Sequence, residues 1–423
     1  MESTLIVPIN HRIDAIVQVP GSKSITNRAL MVAALASGHT MLKNALFSDD
    51  SGYFARALQV LGFNVQLYPD KKEIIIEGLG GNIPSRKAEL FIGNAGTAAR
   101  FLSAFLTLGM GEYIVDGEAR MRERPIGDLV TALSQLGANV QAVSQCPPVR
   151  IQASGLPGGK SSIPGDISSQ FLSALLMVAP YALHNVEISV TTELNSRPYV
   201  DMTLEVMADF GVEIFREGYE YFAIKPGRYT TTGVYPIEPD ASAASYFFAT
   251  PAILGGKVRV DNITKYSKQG DIAFLDVLEQ MGCNIMEGPD YIEVEGSSIL
   301  SGVDIDMRDI PDTAQTLAAI APFASTPTRI RGIASARVKE TDRISATCSE
   351  LKKLGIMVEE FNDGMLIYPC MDIKQGSVAT YNDHRMAMAF ALIGLRIPGI
   401  SIENPGCVSK TFPDFFKVME SLR

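Results

Sequence analysis

Cysteine is scarce and unpatterned in this chain: Cys146, Cys283, Cys348, Cys370 and Cys407 are the five present among 423 residues, with no C-x-x-C pair. An odd, dispersed set argues against a disulfide framework or a cysteine-built zinc site, and for reduced thiols in a cytoplasm. Histidine is equally thin; the four present do not cluster, so a histidine-built metal site is not expected. Basic residues are outnumbered, 37 Lys and Arg against 47 Asp and Glu, for a formal net charge of −10. That balance excludes the broad basic surface of a nucleic-acid binder, so any affinity for anions must come from local concentration of Lys and Arg. Long apolar runs are missing too. Phe171–Leu183 and Met386–Leu395 are too short to span a bilayer, and the first is broken by Ser173 and Pro180. Met1–Val19 carries charged and polar residues throughout, so no signal peptide is expected.

What remains is a globular composition, 46% hydrophobic and 20% charged, in a chain too long for one ordinary core. An internal repeat organises it. Leu58-x-x-Leu61-Gly62-Phe63-Asn64-Val65 returns at Leu133-x-x-Leu136-Gly137-Ala138-Asn139-Val140 and at Met207-x-x-Phe210-Gly211-Val212-Glu213-Ile214. It comes again at Leu278-x-x-Met281-Gly282-Cys283-Asn284-Ile285 and Leu351-x-x-Leu354-Gly355-Ile356-Met357-Val358. The period is about 70 to 75 residues, and each copy reads as an amphipathic helix ended by a glycine cap that passes straight into a strand. A sixth copy begins at Met419-x-x-Leu422 and lacks its strand. The orphan strand Ile13–Val19 is therefore expected to complete the last repeat and close the chain on itself.

Each repeat also holds a helix apolar nearly all round, hence buried: Ser24–Ser37, Thr97–Leu108, Ser169–Leu183, Ala241–Leu254, Thr313–Ser325 and Arg385–Leu395. Strands such as Glu73–Glu77, Val186–Val190, Val258–Val260 and Tyr291–Val294 lie between them. Six α/β units divide into two domains of three, with crossings at Val19-Pro20-Gly21 and Tyr235–Pro239. The expected domains are 21–235, inserted, and 1–20 with 236–423, completed by the N-terminal strand. Two linkers between two compact bodies make a hinge with a cleft.

Anion-binding equipment gathers at helix starts. Pro20-Gly21-Ser22-Lys23-Ser24-Ile25-Thr26-Asn27-Arg28 is a tight turn into a helix carrying three hydroxyls, a lysine and an arginine, where backbone N–H groups and the dipole also favour an anion. It is not a nucleotide P-loop, because only one glycine precedes Ser22-Lys23-Ser24. Gly93-Asn94-Ala95-Gly96-Thr97-Ala98-Ala99-Arg100 is a two-glycine turn, suited equally to packing and to close approach by a ligand. Arg124 precedes a helix with Pro125 expected at its first position. Ser168, Ser169, Gln170, Ser196 and Tyr199 occupy similar junctions, where a serine is also an ordinary N-cap. In the second half Ile310-Pro311-Asp312-Thr313, Arg337–Arg343, Tyr381-Asn382-Asp383-His384-Arg385 and Ser409–Pro413 open four helices. Arg385 abuts the apolar Met386–Phe390, where an unpaired charge is costly, so something anionic should meet it.

Pro20–Arg28, Gly93–Arg100, Arg120–Gly127, Ser168–Gln170, Arg337–Arg343, Asn382–Arg385 and Lys410–Pro413 closely resemble, in order along the whole chain, the motifs of the 5-enolpyruvylshikimate-3-phosphate synthase family. The resemblance implies two domains, each of three βαβαββ repeats around buried helices (an inside-out α/β barrel), with the active site in the cleft between them. It implies transfer of the enolpyruvyl group of phosphoenolpyruvate to the 5-hydroxyl of shikimate 3-phosphate, with release of phosphate and without metal or organic cofactor. A cytoplasmic monomer that engages neither membrane nor nucleic acid is expected. Carried over residue by residue, Lys23, Ser24, Arg28, Ser168, Ser169, Gln170, Ser196, Tyr199, Asp312 and Lys339 would hold shikimate 3-phosphate. Lys23, Asn94, Gly96, Thr97, Arg124, Gln170, Arg343, Arg385 and Lys410 would hold phosphoenolpyruvate. Asp312 would be the base at the 5-hydroxyl and Glu340 the proton carrier at C3, with Lys23 and His384 nearby.

Two positions depart from the family pattern. Ser335 stands where the family often has Asn, and Phe101 where many members have Pro. The related UDP-N-acetylglucosamine enolpyruvyl transferases typically carry a cysteine in the loop equivalent to Gly117–Arg124, which here contains none. A non-catalytic phosphometabolite-binding protein is the other alternative, but it has no need of both Asp312 and Glu340 among cations. Glyphosate competes with phosphoenolpyruvate in this family, and Gly96, without a Cβ, is the position expected to leave it room.

Overall fold

The computed structural model describes residues 2–423, and the chain divides into two compact units. Met1–Pro20 with Glu238–Arg423 forms the terminal unit, and Gly21–Ile237 the inserted unit. Among the described residues twelve α-helices follow in order: α1 Lys23–Leu35, α2 Asp49–Val60, α3 Gly96–Phe105, α4 Gly127–Gln135, α5 Ser169–Val178, α6 Arg197–Asp209, α7 Ala241–Leu254, α8 Phe274–Gln280, α9 Ala314–Ile320, α10 Arg343–Lys353, α11 His384–Arg396 and α12 Phe415–Glu420. The odd-numbered helices are the buried ones. In α3 and α9 every residue is buried, and in α11 all but Arg396. Each fully buried Leu or Phe side chain is worth about 1.5–3 kcal/mol of transfer free energy. That is why helices so poor in charge hold the centre: α3 packs on α1 and α5 in one unit, and α7, α9 and α11 pack on one another in the other.

The even-numbered helices are amphipathic, and five of them end at the repeat's glycine. Gly62, Gly137, Gly211, Gly282 and Gly355 all have positive φ, between 81° and 104°, so the chain leaves the helix through the left-handed region and turns directly into a strand. Each repeat builds one small sheet: five sheets have four strands and one has three, among the described residues. The order within a four-stranded sheet is uniform. Lys87–Phe91 runs parallel to Met110–Asp116, which pairs antiparallel with Val149–Ser154, which pairs antiparallel with Asn139–Ala142.

At the crossings the strands do not stay with their neighbours in sequence. Ile13–Val17, the orphan strand, is shorter than expected and does not complete the last repeat; it runs parallel to Gly256–Asp261 as first strand of the fourth repeat's sheet. The last repeat is closed by Ser3–Leu5, antiparallel to Ile400–Glu403, in the one sheet that stays three-stranded among the described residues. In the inserted unit Val234–Pro236 runs parallel to Ser37–Lys43 and completes the first repeat. A second correction concerns Pro125, which lies outside α4. A proline bars the preceding residue from helical backbone, so Arg124 is extended at φ −84°, ψ 127°, and the helix starts only at Gly127.

Candidate active site

In the inserted unit the starts of α1, α3 and α5 supply the candidate residues. Ser22 caps α1 by accepting from the Ile25 amide at 3.3 Å, and Ser168 caps α5 by accepting from the Gln170 amide at 3.3 Å. Lys23 Nζ lies 3.7 Å from the buried Asp50 carboxylate. Arg28 is 2% exposed, and its guanidinium donates to Thr203 Oγ1 (2.7 Å), the Ser24 carbonyl (3.0 Å), the Tyr199 carbonyl (3.0 Å) and Ser173 Oγ (3.4 Å). It also lies over the ring of Phe101, 5.3 Å from the centroid. Burial lowers its pKa to about 10, since these acceptors are neutral. Arg28 therefore braces Ser24 and Tyr199, joining α1 to the start of α6. Ser196, which leads into α6, has left-handed backbone at φ 58°.

The two-glycine turn is built around two arginines. Arg124, 4% exposed, donates from Nη1 to both the carbonyl and Oδ1 of Asn94, each at 3.0 Å. Arg100 donates to the Gly96 carbonyl (3.1 Å) and the Pro125 carbonyl (2.7 Å), tying the Arg124 loop to α3. Gly93 is at φ 54° with the Tyr53 ring 2.5 Å from where a Cβ would sit, so only glycine fits that bend. A Cβ on Gly96 would lie 2.5 Å from Arg124 Nη2. Gln170 Nε2 donates to Thr97 Oγ1 at 3.4 Å, linking α5 to α3. Ser169 is buried beside it in sequence.

In the terminal unit the loop ends before α9, α10 and α11 meet in one ionic cluster. Three carboxylates, Asp312, Glu340 and Asp383, face three cations, Arg343, Arg385 and Lys410. Arg343 donates to Asp383 Oδ2 (2.8 Å), Glu340 Oε2 (2.8 Å) and Asp312 Oδ1 (3.0 Å). Arg385 Nη2 donates to Asp312 Oδ2 at 2.6 Å, so Asp312 is the anion that meets it. Lys410 Nζ stands 3.8 Å from Glu340 Oε1. Burial alone would lower the Arg343 pKa, but Asp383, then Glu340, then Asp312 outweigh it and hold the group above its usual value. Burial pushes Tyr246, whose hydroxyl lies 3.5 Å from Arg385 Nη1, up to about 12. Lys339 is half-buried after the turn Ala334–Val338, which contains the buried Ser335.

Accessibility separates the three carboxylates. The Asp312 side chain is 18% exposed, Glu340 6% and Asp383 0%. Only Asp312 combines contact with both arginines and an open face; Asp383 is a brace. Asp383 caps α11 by accepting from the Arg385 amide at 2.9 Å and grips Arg343, while His384 Nδ1 sits 3.6 Å from its Oδ1. The sequence signal for Asp383 was an Asp directly before a helical run, and for Arg100 an arginine one turn into α3; neither says which partner the side chain meets. No group of three or more His, Cys, Asp and Glu side chains that could hold a metal ion occurs among the described residues, and no helix there is long and apolar enough to cross a membrane.

The chain matches a family model described as EPSP synthase (3-phosphoshikimate 1-carboxyvinyltransferase) over residues 7–419. It is 53% identical over 418 residues to a 3-phosphoshikimate 1-carboxyvinyltransferase from a Nostoc species, covering 98% of each chain. To the enzyme of that name from Shewanella baltica it is 52% identical over 411 residues, 96% of each chain. Among solved structures it is similar to an EPSP synthase from Acinetobacter baumannii, with TM-score 0.80, 26% identity, and coverage of 98% of this chain and 97% of that one.

Proposed function

The chain belongs to the EPSP synthase family, and from that premise we propose how its residues divide the work. The reaction is transfer of the enolpyruvyl group of phosphoenolpyruvate to the 5-hydroxyl of shikimate 3-phosphate, with release of phosphate, in the shikimate pathway to aromatic compounds. The hydroxyl oxygen adds to C2 of phosphoenolpyruvate as C3 takes up a proton. The tetrahedral intermediate then loses phosphate from C2 and a proton from C3. Neither a UDP-N-acetylglucosamine acceptor nor a non-catalytic binding role is favoured by the relatives.

Asp312 takes the proton of the 5-hydroxyl, and Glu340 gives and retrieves the proton at C3, with Lys410, Lys23 and His384 in support. Arg124, Arg343, Arg385 and Lys410, with Asn94, Gly96 and Thr97, hold phosphoenolpyruvate. Lys23, Ser24, Ser168, Ser169, Ser196, Tyr199 and Lys339 hold shikimate 3-phosphate; Gln170 serves both substrates, and Arg28 acts through Ser24 and Tyr199. Each unit supplies part of the set. The observation that carries this reading is Asp312, a partly exposed carboxylate bridging two buried guanidinium groups. A placed general base contributes about two to four powers of ten in rate. The protein acts in the cytoplasm as a monomer, without metal or organic cofactor and apart from membrane and nucleic acid. Phosphate release from phosphoenolpyruvate that depends on shikimate 3-phosphate tests the reaction; release that ignores shikimate 3-phosphate refutes it.

A further inference from the structure

Glu350 lies on α10, two turns beyond Arg343, and is 0% exposed. Its Oε1 accepts from Lys353 Nζ (2.6 Å) and the Tyr381 hydroxyl (2.7 Å), and its Oε2 from the Ala379 amide (3.1 Å). None of these partners belongs to the ionic cluster, yet Ala379–Tyr381 lead straight into the cap of α11. The turn Thr380–Asp383 is closed by a bond from the Asp383 amide to the Thr380 carbonyl at 2.8 Å. Its two central residues are both left-handed, Tyr381 at φ 53° and Asn382 at φ 56°. Asparagine tolerates that region, and Asn404 Nδ2 holds Asn382 Oδ1 at 3.2 Å. For a bulky tyrosine the same backbone is an outlier that persists only when its surroundings impose it.

We infer that Glu350 is a positioning residue for the anion-binding arginines. It grips the strained turn at two points, the Ala379 amide and the Tyr381 hydroxyl, and so sets where Asp383 begins α11. Arg343 grips Asp383 from the first turn of the same helix, α10. One rigid helix thus fixes both the approach to α11 and its cap, and with them Arg343 and Arg385. Without the carboxylate Tyr381 returns to negative φ, and Asp383, two residues on, moves with it.

The inference rests on the assignment of Arg343 and Arg385 to phosphoenolpyruvate. Glu350→Gln keeps the volume but turns an NH2 group toward a donor. The expected result is a KM for phosphoenolpyruvate raised about tenfold, with the dissociation constant of shikimate 3-phosphate changed by less than about threefold. Adding Tyr381→Gly restores most of that KM, because glycine adopts positive φ without a tether. A carboxylate that served only stability would lower the melting temperature and the active fraction, leave KM unchanged, and gain nothing from the glycine. A folded Glu350→Gln with unaltered KM, or a double variant without recovery, overturns the inference. If Glu350→Gln does not fold, Tyr381→Phe, which loses only the hydroxyl, replaces it: a rise in KM of about threefold supports the role and an unchanged KM overturns it. Arg385→Ala separates the two levels. An unchanged KM in that variant refutes the assignment of Arg385, whereas a raised KM there with none in Glu350→Gln refutes the positioning role alone.

Discussion

Replacing Asp312 with Asn should slow turnover and tighten anion binding at the same time. The carboxylate stands 3.0 Å from Arg343 Nη1 and 2.6 Å from Arg385 Nη2, so an incoming anion must compete with it for both guanidinium groups. Unit charges about 4 Å apart at an effective dielectric constant of about 20 attract by roughly 4 kcal/mol. Much of that attraction offsets desolvation; a net of about 1.4 kcal/mol, a factor of ten in affinity, is released to the anion when the carboxylate is neutralised. Arg343 keeps Glu340 and Asp383 as partners, so the cluster stays folded. Removing the base lowers kcat by about two to four powers of ten. The assay pairs steady-state phosphate release with calorimetric titration of phosphoenolpyruvate and, separately, of shikimate 3-phosphate, whose dissociation constant should change by no more than about threefold. Near-normal turnover refutes the role of Asp312 as base, and unchanged or weaker phosphoenolpyruvate binding refutes the competition argument.

Gly96→Ala places a methyl 2.5 Å from Arg124 Nη2 and 2.9 Å from its Cζ, so the guanidinium must shift. Phosphoenolpyruvate KM should rise about tenfold and the glyphosate inhibition constant by more, an overpacking penalty of about 1–3 kcal/mol; equal and unchanged constants count against a ligand near Arg124. Arg28→Ala should destabilise the protein by about 3 kcal/mol in denaturant melts, because Thr203 Oγ1 and the Ser24 and Tyr199 carbonyls lose a buried donor; a loss below about 1 kcal/mol shows that they find other partners. The residues proposed to bind substrate fall in both units, Lys23, Arg124 and Ser168 in one and Arg343, Arg385 and Lys410 in the other. Saturating shikimate 3-phosphate should therefore reduce the radius of gyration in small-angle scattering, and an unchanged radius argues against ligand-driven closure.

Local chemistry was legible where one residue type answers one backbone demand. The repeat could be read because a glycine after Leu-x-x-Leu marks the left-handed exit of a helix into a strand, and all five such glycines have positive φ. The buried helices could be read because α3, α5 and α11 carry almost no charge on any face, which excludes solvent as their environment. Within the motifs that place the chain in its family, Gly93 was legible for the same reason, since its bend at φ 54° has the Tyr53 ring where a Cβ would sit.

Pairing over long sequence distance was not legible. Ile13–Val17 has the alternation of a half-buried strand, which says that it needs a neighbour and nothing about which one. Only the packed structure gives it Gly256–Asp261, leaves Ser3–Leu5 to the last sheet, and assigns Val234–Pro236 to the first. The ionic cluster divides in the same way. A sequence states that Asp312, Glu340, Asp383, Arg343 and Arg385 are ionisable. Which carboxylate stays open and which is sealed as a brace depends on how much water each retains once α9, α10 and α11 have packed, and that leaves Asp312 partly exposed and Asp383 fully buried.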